Sequence, residues 1–372
     1  MKKILFFLTF SVFFLVCTEV NADEIGPDNP DYYDYSEINN VLRDYDNLDF
    51  GTMVKELSQG EDGDFLKRLG DRLIAYVLNE INAEKVIILQ LFLIGICAAL
   101  VSGIAKAFFK NTTSEVSFYL VLMLLMCTLA AGYKIAARIV VSTLEVIIEL
   151  MNAIVPVYVV SVGFVAGSNS ACSLYQIIAI VIAFVEKFMR DFILPLVYVF
   201  TIANFVNNMS EENLLSKMCE LIKTIISWVL RAIMSLIIGI NVIRGILSPV
   251  IDSIKATALG RTASMLPGVG RIISSVSDIV LGCGTLIKNS IGVAAAITIM
   301  VISIIPVLKI LLSSIGYKLV GAVLEPVSDK RIVNAVNGMY ESFVLLGKIL
   351  MYSVAFFLIT IAVVCCSTNI HI

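Results

Sequence analysis

Residues 86–105 read VIILQLFLIGICAALVSGIA, with Glu84-Lys85 before them and Lys106 after. Twenty consecutive residues carry no charge. At the helical rise they extend about 30 Å, the thickness of a bilayer's hydrocarbon core. Lipid offers no partner to a free backbone N–H or C=O, so such a run spans as a helix. Composition extends this reading to the whole chain. Of 372 residues, 59% are hydrophobic and 15% charged, with a mean hydropathy of +0.93. A soluble domain is about 45–50% apolar and about 25% charged. A water-soluble fold could not cover this much apolar surface, which excludes a cytosolic enzyme, a nucleic-acid binder and a disordered chain.

Further apolar runs follow. Val116 to Tyr133 is a second span, ended by Lys134 and Arg138. Leu150 to Ala166, Ala171 to Val185, Phe192 to Val206, Thr224 to Ile243, Ile291 to Leu308 and Ile349 to Cys366 complete the series. Seven or eight spans are expected, in an all-α polytopic membrane protein with a small N-terminal extracytoplasmic segment. The positive-inside rule does not choose between the two counts, because basic residues tie at nine on each side either way.

Charge is unevenly distributed. Residues 23–84 hold 16 acidic and 5 basic side chains, whereas residues 85–372 hold 13 acidic and 20 basic. At the start, Lys2 and Lys3 precede the apolar run Ile4 to Val16, which is too short to span. Val20-Asn21-Ala22 has the small residue before the scissile bond that a signal peptidase reads. Residues 1–22 are therefore expected to be a signal peptide cut between Ala22 and Asp23. Residues 23–84 would then be an acidic extracytoplasmic segment. Its 23–50 part, rich in Asp, Tyr and Asn, reads as loop. Phe65, Leu66, Leu69, Leu73, Val77 and Ile81 recur at helical spacing and predict an amphipathic helix. Residues 85–366 form the membrane domain, and 367–372 a short tail.

Prolines suggest a repeat. Pro156 and Pro195 are 39 residues apart, as are Pro267 and Pro306. Each half then meets a polar turn and a basic residue inside an apolar run, Arg231 or Lys348. Residues 150–248 and 261–366 are read as duplicated halves, with coincidence in a low-complexity chain as the alternative. Pro156, Pro195, Pro267, Gly268, Gly270 and Pro306 are the expected helix breaks. Within 249–288, one face of the predicted helix is apolar and the other carries Arg271, three serines and Asp278. Such a face lines a watery cavity or lies at the membrane interface.

A charge at mid-bilayer costs about 2.5–3.5 kcal/mol on insertion scales, so it faces a cavity or a partner. Arg231, Lys348, Glu145, Glu149, Asp278 and Lys288 are the candidate conduit or pairing residues, with plain salt bridging as the alternative. The chain has one histidine, His371, and no CxxC pair among its eight cysteines. It has no GxxxxGK[ST] phosphate loop. No enzyme activity, cofactor, metal site or nucleic-acid binding is expected.

The stretch LPGVGRIISSVSDIVLGCGTLIKNSIG at 266–292 resembles the signature of the stage III sporulation protein AE family. The order of parts is similar too: leader, short ectodomain ending in GDFLKRLGDRLIAYVLNEINA, first span at 86–105, then many spans. The resemblance implies a multi-pass subunit of the channel- or secretion-like complex joining mother cell and forespore, required for endospore formation. It implies a place in the mother-cell-derived membrane around the forespore. The implied partners are the other stage III sporulation A-operon proteins, including a cytoplasmic ATPase, and stage II sporulation protein Q across the intermembrane space. The alternative is a stand-alone permease for a small solute.

Overall fold

The computed structural model describes residues 33–44, 49–59, 85, 89–90, 92–93, 95–97, 100, 111–166, 180–181, 184–185, 187–209, 214–263, 270–326 and 328–367. Within its helices, the side chains of 240–263 and 270–288 and of a few terminal residues lie outside this description. Two short helices come first, α1 (Ser36–Val41), extended by a 3-10 turn at Leu42–Asp44, and α2 (Phe50–Gln59). Five long ones follow: α3 (Asn111–Ala166), α4 (Leu194–Met209), α5 (Ser216–Ala263), α6 (Gly270–Leu324) and α7 (Lys330–Ser367). The described residues contain no strand, and five of their apolar stretches are long enough to cross a membrane. The protein is an all-α polytopic membrane protein.

Helix α7 is the centre of the bundle and packs against α3, α4, α5 and α6. Phe356, Phe357, Leu346 and Ile349 are completely or almost completely enclosed. Apolar burial means little between helices that could equally bury their side chains in lipid. Close packing and interhelical hydrogen bonds hold such a bundle together instead. Side-chain contacts fix the directions. Lys223 of α5 meets Glu341 of α7, and Ser227 meets Lys348, so these two helices run parallel. Thr201 of α4 meets Ser342 and Asn208 meets Asn334, so α4 runs antiparallel to α7. Helix α6 is antiparallel too: Gly321 faces Asn337, and Gly347 faces Ile310. The end of the bundle near Phe118, Leu324 and Arg331 is called the lower end below. The end near Tyr158, Ala295 and Thr360 is the upper end.

Several expectations change. The runs 116–133 and 150–166 are parts of one helix, α3, whose 56 residues extend about 84 Å. Lys134, Arg138, Glu145 and Glu149 lie between the two runs, but none of them breaks a helix; they face outward or sideways while the inward stripe continues. Pro156 lies inside α3 and Pro306 inside α6, and neither ends its helix. Pro195 does not break its helix either. Its ring would collide with the carbonyl four residues back and it has no N–H to donate. The chain answers with a π-turn at Met189–Ile193, where the Leu194 N–H donates to the Met189 carbonyl. Gly270 opens α6 rather than interrupting a helix. Pro267 and Gly268 lie outside the described residues. The signal peptide, the amphipathic helix near 65–81 and most of the 171–185 run also fall there. Residues 85–100, part of the first expected span, are helical wherever described. The limits 150 and 248 of the expected first half fall inside α3 and α5.

Residues 33–44 and 49–59 form a packed corner, although 23–50 reads as loop in sequence. The Asn39 side-chain amide donates to Asp49 Oδ1 at 3.0 Å, and its oxygen accepts the Phe50 N–H at 2.9 Å. Asp49 caps α2 by accepting the Gly51 N–H at 2.9 Å. Tyr35 and Phe50 stack obliquely, with centroids 5.5 Å apart. Ile38, Leu42, Phe50, Met53 and Val54 are buried, with α1 against α3 and α2 against α6. Their tertiary contacts outweigh the loop-like composition.

Candidate functional site

Charged and amide side chains converge where α4, α5 and α7 meet. On α4, Thr201, Asn204 and Asn208 are spaced three and four residues apart and therefore share a face. On α7, Asn334, Gly338 and Ser342 are spaced by four and share the opposing one. Asn208 Nδ2 donates to Asn204 Oδ1 at 2.7 Å and to the Asn334 carbonyl at 3.2 Å. Thr201 Oγ1 lies 2.9 Å from the Val197 carbonyl and 3.0 Å from Ser342 Oγ, which lies 3.1 Å from the Gly338 carbonyl. Three contacts thus share two hydroxyl protons. Asn207 Oδ1 accepts the Leu215 N–H at 2.8 Å and ties α4 to the turn that opens α5. The side chains of Thr201, Asn204, Asn207, Asn208 and Ser342 are buried, whereas Asn334 contributes its carbonyl and is itself exposed; an amide left unpaired in an apolar bundle is costly.

Gly338 makes the seam geometrically feasible. The Asn204 amide occupies the space a β-carbon at 338 would fill. A small residue on one helix lets its neighbour approach closely, the common device of membrane helix pairs. Tyr133 of α3 borders the seam, its ring edge-on to Tyr198 at 5.5 Å. The buried Tyr133 hydroxyl comes near Thr201 but completes no hydrogen bond.

On the other side of α7, Lys223 Nζ donates to Glu341 Oε1 at 2.5 Å. Both side chains are a little over a third exposed on the outside of the bundle. One helical turn further on, Ser227 serves two of the expected residues at once. Its hydroxyl accepts Lys348 Nζ at 3.4 Å, and its carbonyl accepts Arg231 Nε at 3.0 Å. Arg231 is exposed, and Lys348 is partly covered. Glu145 pairs with Arg190 at 2.7 Å, joining α3 to the π-turn before α4. Glu149 is exposed one turn beyond it. Asp278 and Lys288 belong to α6, but their side chains lie outside the described residues.

The structure therefore brings Arg231 and Lys348 together through Ser227, and leaves Glu145 and Glu149 elsewhere on α3. Sequence reasoning missed Lys223, Glu341 and the amide seam. The signal was present, since polar residues at three- and four-residue spacing within an apolar run mark a helix face that has a partner. The arrangement can hold helices in register. Among the described residues, no group of three or more His, Cys, Asp or Glu could hold a metal ion.

Over residues 48–368 the chain matches the family described as Stage III sporulation protein AE. It is 21% identical over 322 residues to Stage III sporulation protein AE of Bacillus subtilis (strain 168), an alignment covering 83% of this chain and 80% of that protein. No solved structure matches.

Proposed function

The chain belongs to the stage III sporulation protein AE family, and from that premise we propose that it is a multi-pass subunit of a channel- or secretion-like complex joining mother cell and forespore. It is a sporulation protein and a membrane protein; the finer role is the proposal. In this reading it resides in the mother-cell-derived membrane around the forespore. It assembles there with the other stage III sporulation A-operon proteins, including a cytoplasmic ATPase, and across the intermembrane space with stage II sporulation protein Q. A cleaved leader at Ala22-Asp23 would start the mature chain on the outer side of that membrane.

The observation that carries the reading is the family match across 48–368 in a chain whose polar side chains lock helices together. The Asn204–Asn208–Asn334 seam and the Lys223–Glu341 pair are built for a fixed helical frame. Such a frame suits a subunit that works by assembling.

The test is deletion of the gene followed by microscopy of engulfed forespores. Forespores that engulf but fail to mature, with rescue by the intact gene, are expected. Normal spores would overturn the proposal. Co-purification with the A-operon proteins supports the complex. Recovery as a free monomer that moves a defined solute into liposomes would favour a permease instead.

A further inference from the structure

We propose that a lengthwise groove between α5 and α6 seats a transmembrane helix of another protein, and that this helix offers a carboxylate to Arg231. Helix α7 packs against α3, α4, α5 and α6 and keeps one face only partly covered. Asn337, Glu341, Val344, Lys348 and Met351 recur along that face at spacings of four and three, and none of them is buried. Helix α5 borders it on one side, through Lys223 at Glu341 and Ser227 at Lys348. Helix α6 borders it on the other. Lys318 Nζ donates to Asn337 Oδ1 at 3.4 Å and lies 5.0 Å from the centre of the Tyr340 ring, and Gly347 faces Ile310 and Leu311. Lys318 stands nearer the lower end of the bundle, and Arg231 lies further towards the upper end.

Charge selects the occupant. Among the described residues the groove carries four basic side chains, Lys223, Arg231, Lys318 and Lys348, and one acidic one, Glu341. Glu341 is taken by Lys223. Arg231 Nε reaches the Ser227 carbonyl, one turn back on its own helix, and no acidic side chain among the described residues pairs with it. Yet Arg231 belongs to the candidate span Ser216–Gly239, the least enclosed of the five. A charge within a span turns to a cavity or to a partner group, and acyl chains offer it neither.

The shape of the polar strip argues for a helix. A headgroup phosphate supplies charge at one depth, whereas the positions from Asn337 to Lys348 extend about 16 Å along α7. A helix laid in the groove follows that whole length, and Val344 and Met351 lie between the charges to receive its apolar side chains. The chain's own apolar runs at 86–105 and 171–185 carry no acidic residue. A second copy related by a two-fold axis would set groove against groove, and cations against cations. An acid-bearing helix of different sequence meets none of these objections.

Trp228, the single tryptophan, follows Ser227 on α5 and is exposed, so it reports on the occupant. In liposomes holding the full chain, its emission should transfer to a dansyl-labelled polyleucine helix of about 20 residues that carries one glutamate. Peptides with the glutamate moved turn by turn cover every depth, in buffer alkaline enough to ionise it. At the best depth the glutamate peptide should associate at least about fivefold more tightly than its glutamine counterpart, the size of one interhelical polar contact. Arg231→Leu should remove that preference, and Arg231→Glu should transfer it to a lysine peptide. As a second measurement, a benzophenone attached at Val344→Cys in a cysteine-free chain should label the glutamate peptide. Deletion of the gene tests the sporulation role, whereas these assays read the groove alone. Equal association of glutamate and glutamine peptides at every depth, a preference that survives Arg231→Leu, or labelling of a second copy of the chain in place of the peptide would overturn the proposal.

Discussion

Asn204 of α4 fills the volume that a β-carbon on residue 338 of α7 would need, so the two helices approach as closely as they do only because position 338 is glycine. The same amide oxygen accepts the Asn208 side chain at 2.7 Å. Steric fit and hydrogen bonding at this crossing are therefore one interaction.

Gly338→Ala should push Asn204 aside and break its bond to Asn208. Overpacking of this kind costs about 1–3 kcal/mol. Thermal denaturation in detergent should show a lowered midpoint, and adding Asn204→Ala should recover part of it. Equal destabilisation by the single and double variants would mean that the glycine matters for another reason.

Lys223→Met leaves Glu341, partly exposed on the outside of the bundle, without its counter-charge. The loss should stay below the roughly 3 kcal/mol that an unpaired charge costs at the centre of a span, because Glu341 is a little over a third exposed. Lys223→Met with Glu341→Leu should be more stable than Lys223→Met alone, because the pair is then removed whole. A double-mutant cycle in proteoliposomes checks this, and purely additive losses would count against a functional ion pair.

Asp49 should make α2 sensitive to acid. Burial raises the Asp49 carboxyl, but hydrogen bonds from Asn39, Thr52 and Gly51 outweigh it and hold it below its ordinary value. A depressed carboxyl stabilises the fold above its unfolded pKa of about 3.9, and that contribution is lost as pH falls through the lower folded value. Amide protection factors in 50–59, measured against the intrinsic rate at each pH, should therefore fall below about pH 4. Asp49→Ala should exchange faster at neutral pH, with a loss near the lower end of the roughly 0.5–2 kcal/mol typical of N-caps, since the side chain is exposed. Unchanged exchange in Asp49→Ala would show that α2 is held by Phe50 and Met53 alone.

Arg231→Leu should leave the melting midpoint within about 0.5 kcal/mol of the native chain, as for an exposed side chain bonded only within its own helix. Lys348→Leu should cost more, because it also frees the Ser227 hydroxyl between two helices. Reversal of that order in a thermal scan would indicate that Arg231 packs against something inside the bilayer.

Much of the architecture was legible in particular residues. The uncharged run at 86–105 and its counterparts announced membrane helices, and the motif at 266–292 announced the family that the match over 48–368 establishes. The expected breaks at Pro156 and Pro306 were not realised. Proline removes one hydrogen bond from a helix, and packing against neighbouring helices can keep the helix continuous through that loss. The amide seam went unread because Asn204 and Gly338 are 134 residues apart, and neither is conspicuous without the other.

By itself the sequence determined what depends on local composition: helix as the only backbone solution in lipid, a chain committed to a membrane, and an acidic head distinct from a basic body. The tertiary structure decided what depends on which residues meet. It joined two expected spans into α3, packed residues 33–44 and 49–59 onto α3 and α6, and paired Lys223 with Glu341. Hydropathy sums over neighbours along the chain, whereas packing and charge pairing act across space. A run as apolar as 291–308 can therefore be buried by protein as well as by lipid, and only the contacts distinguish the two.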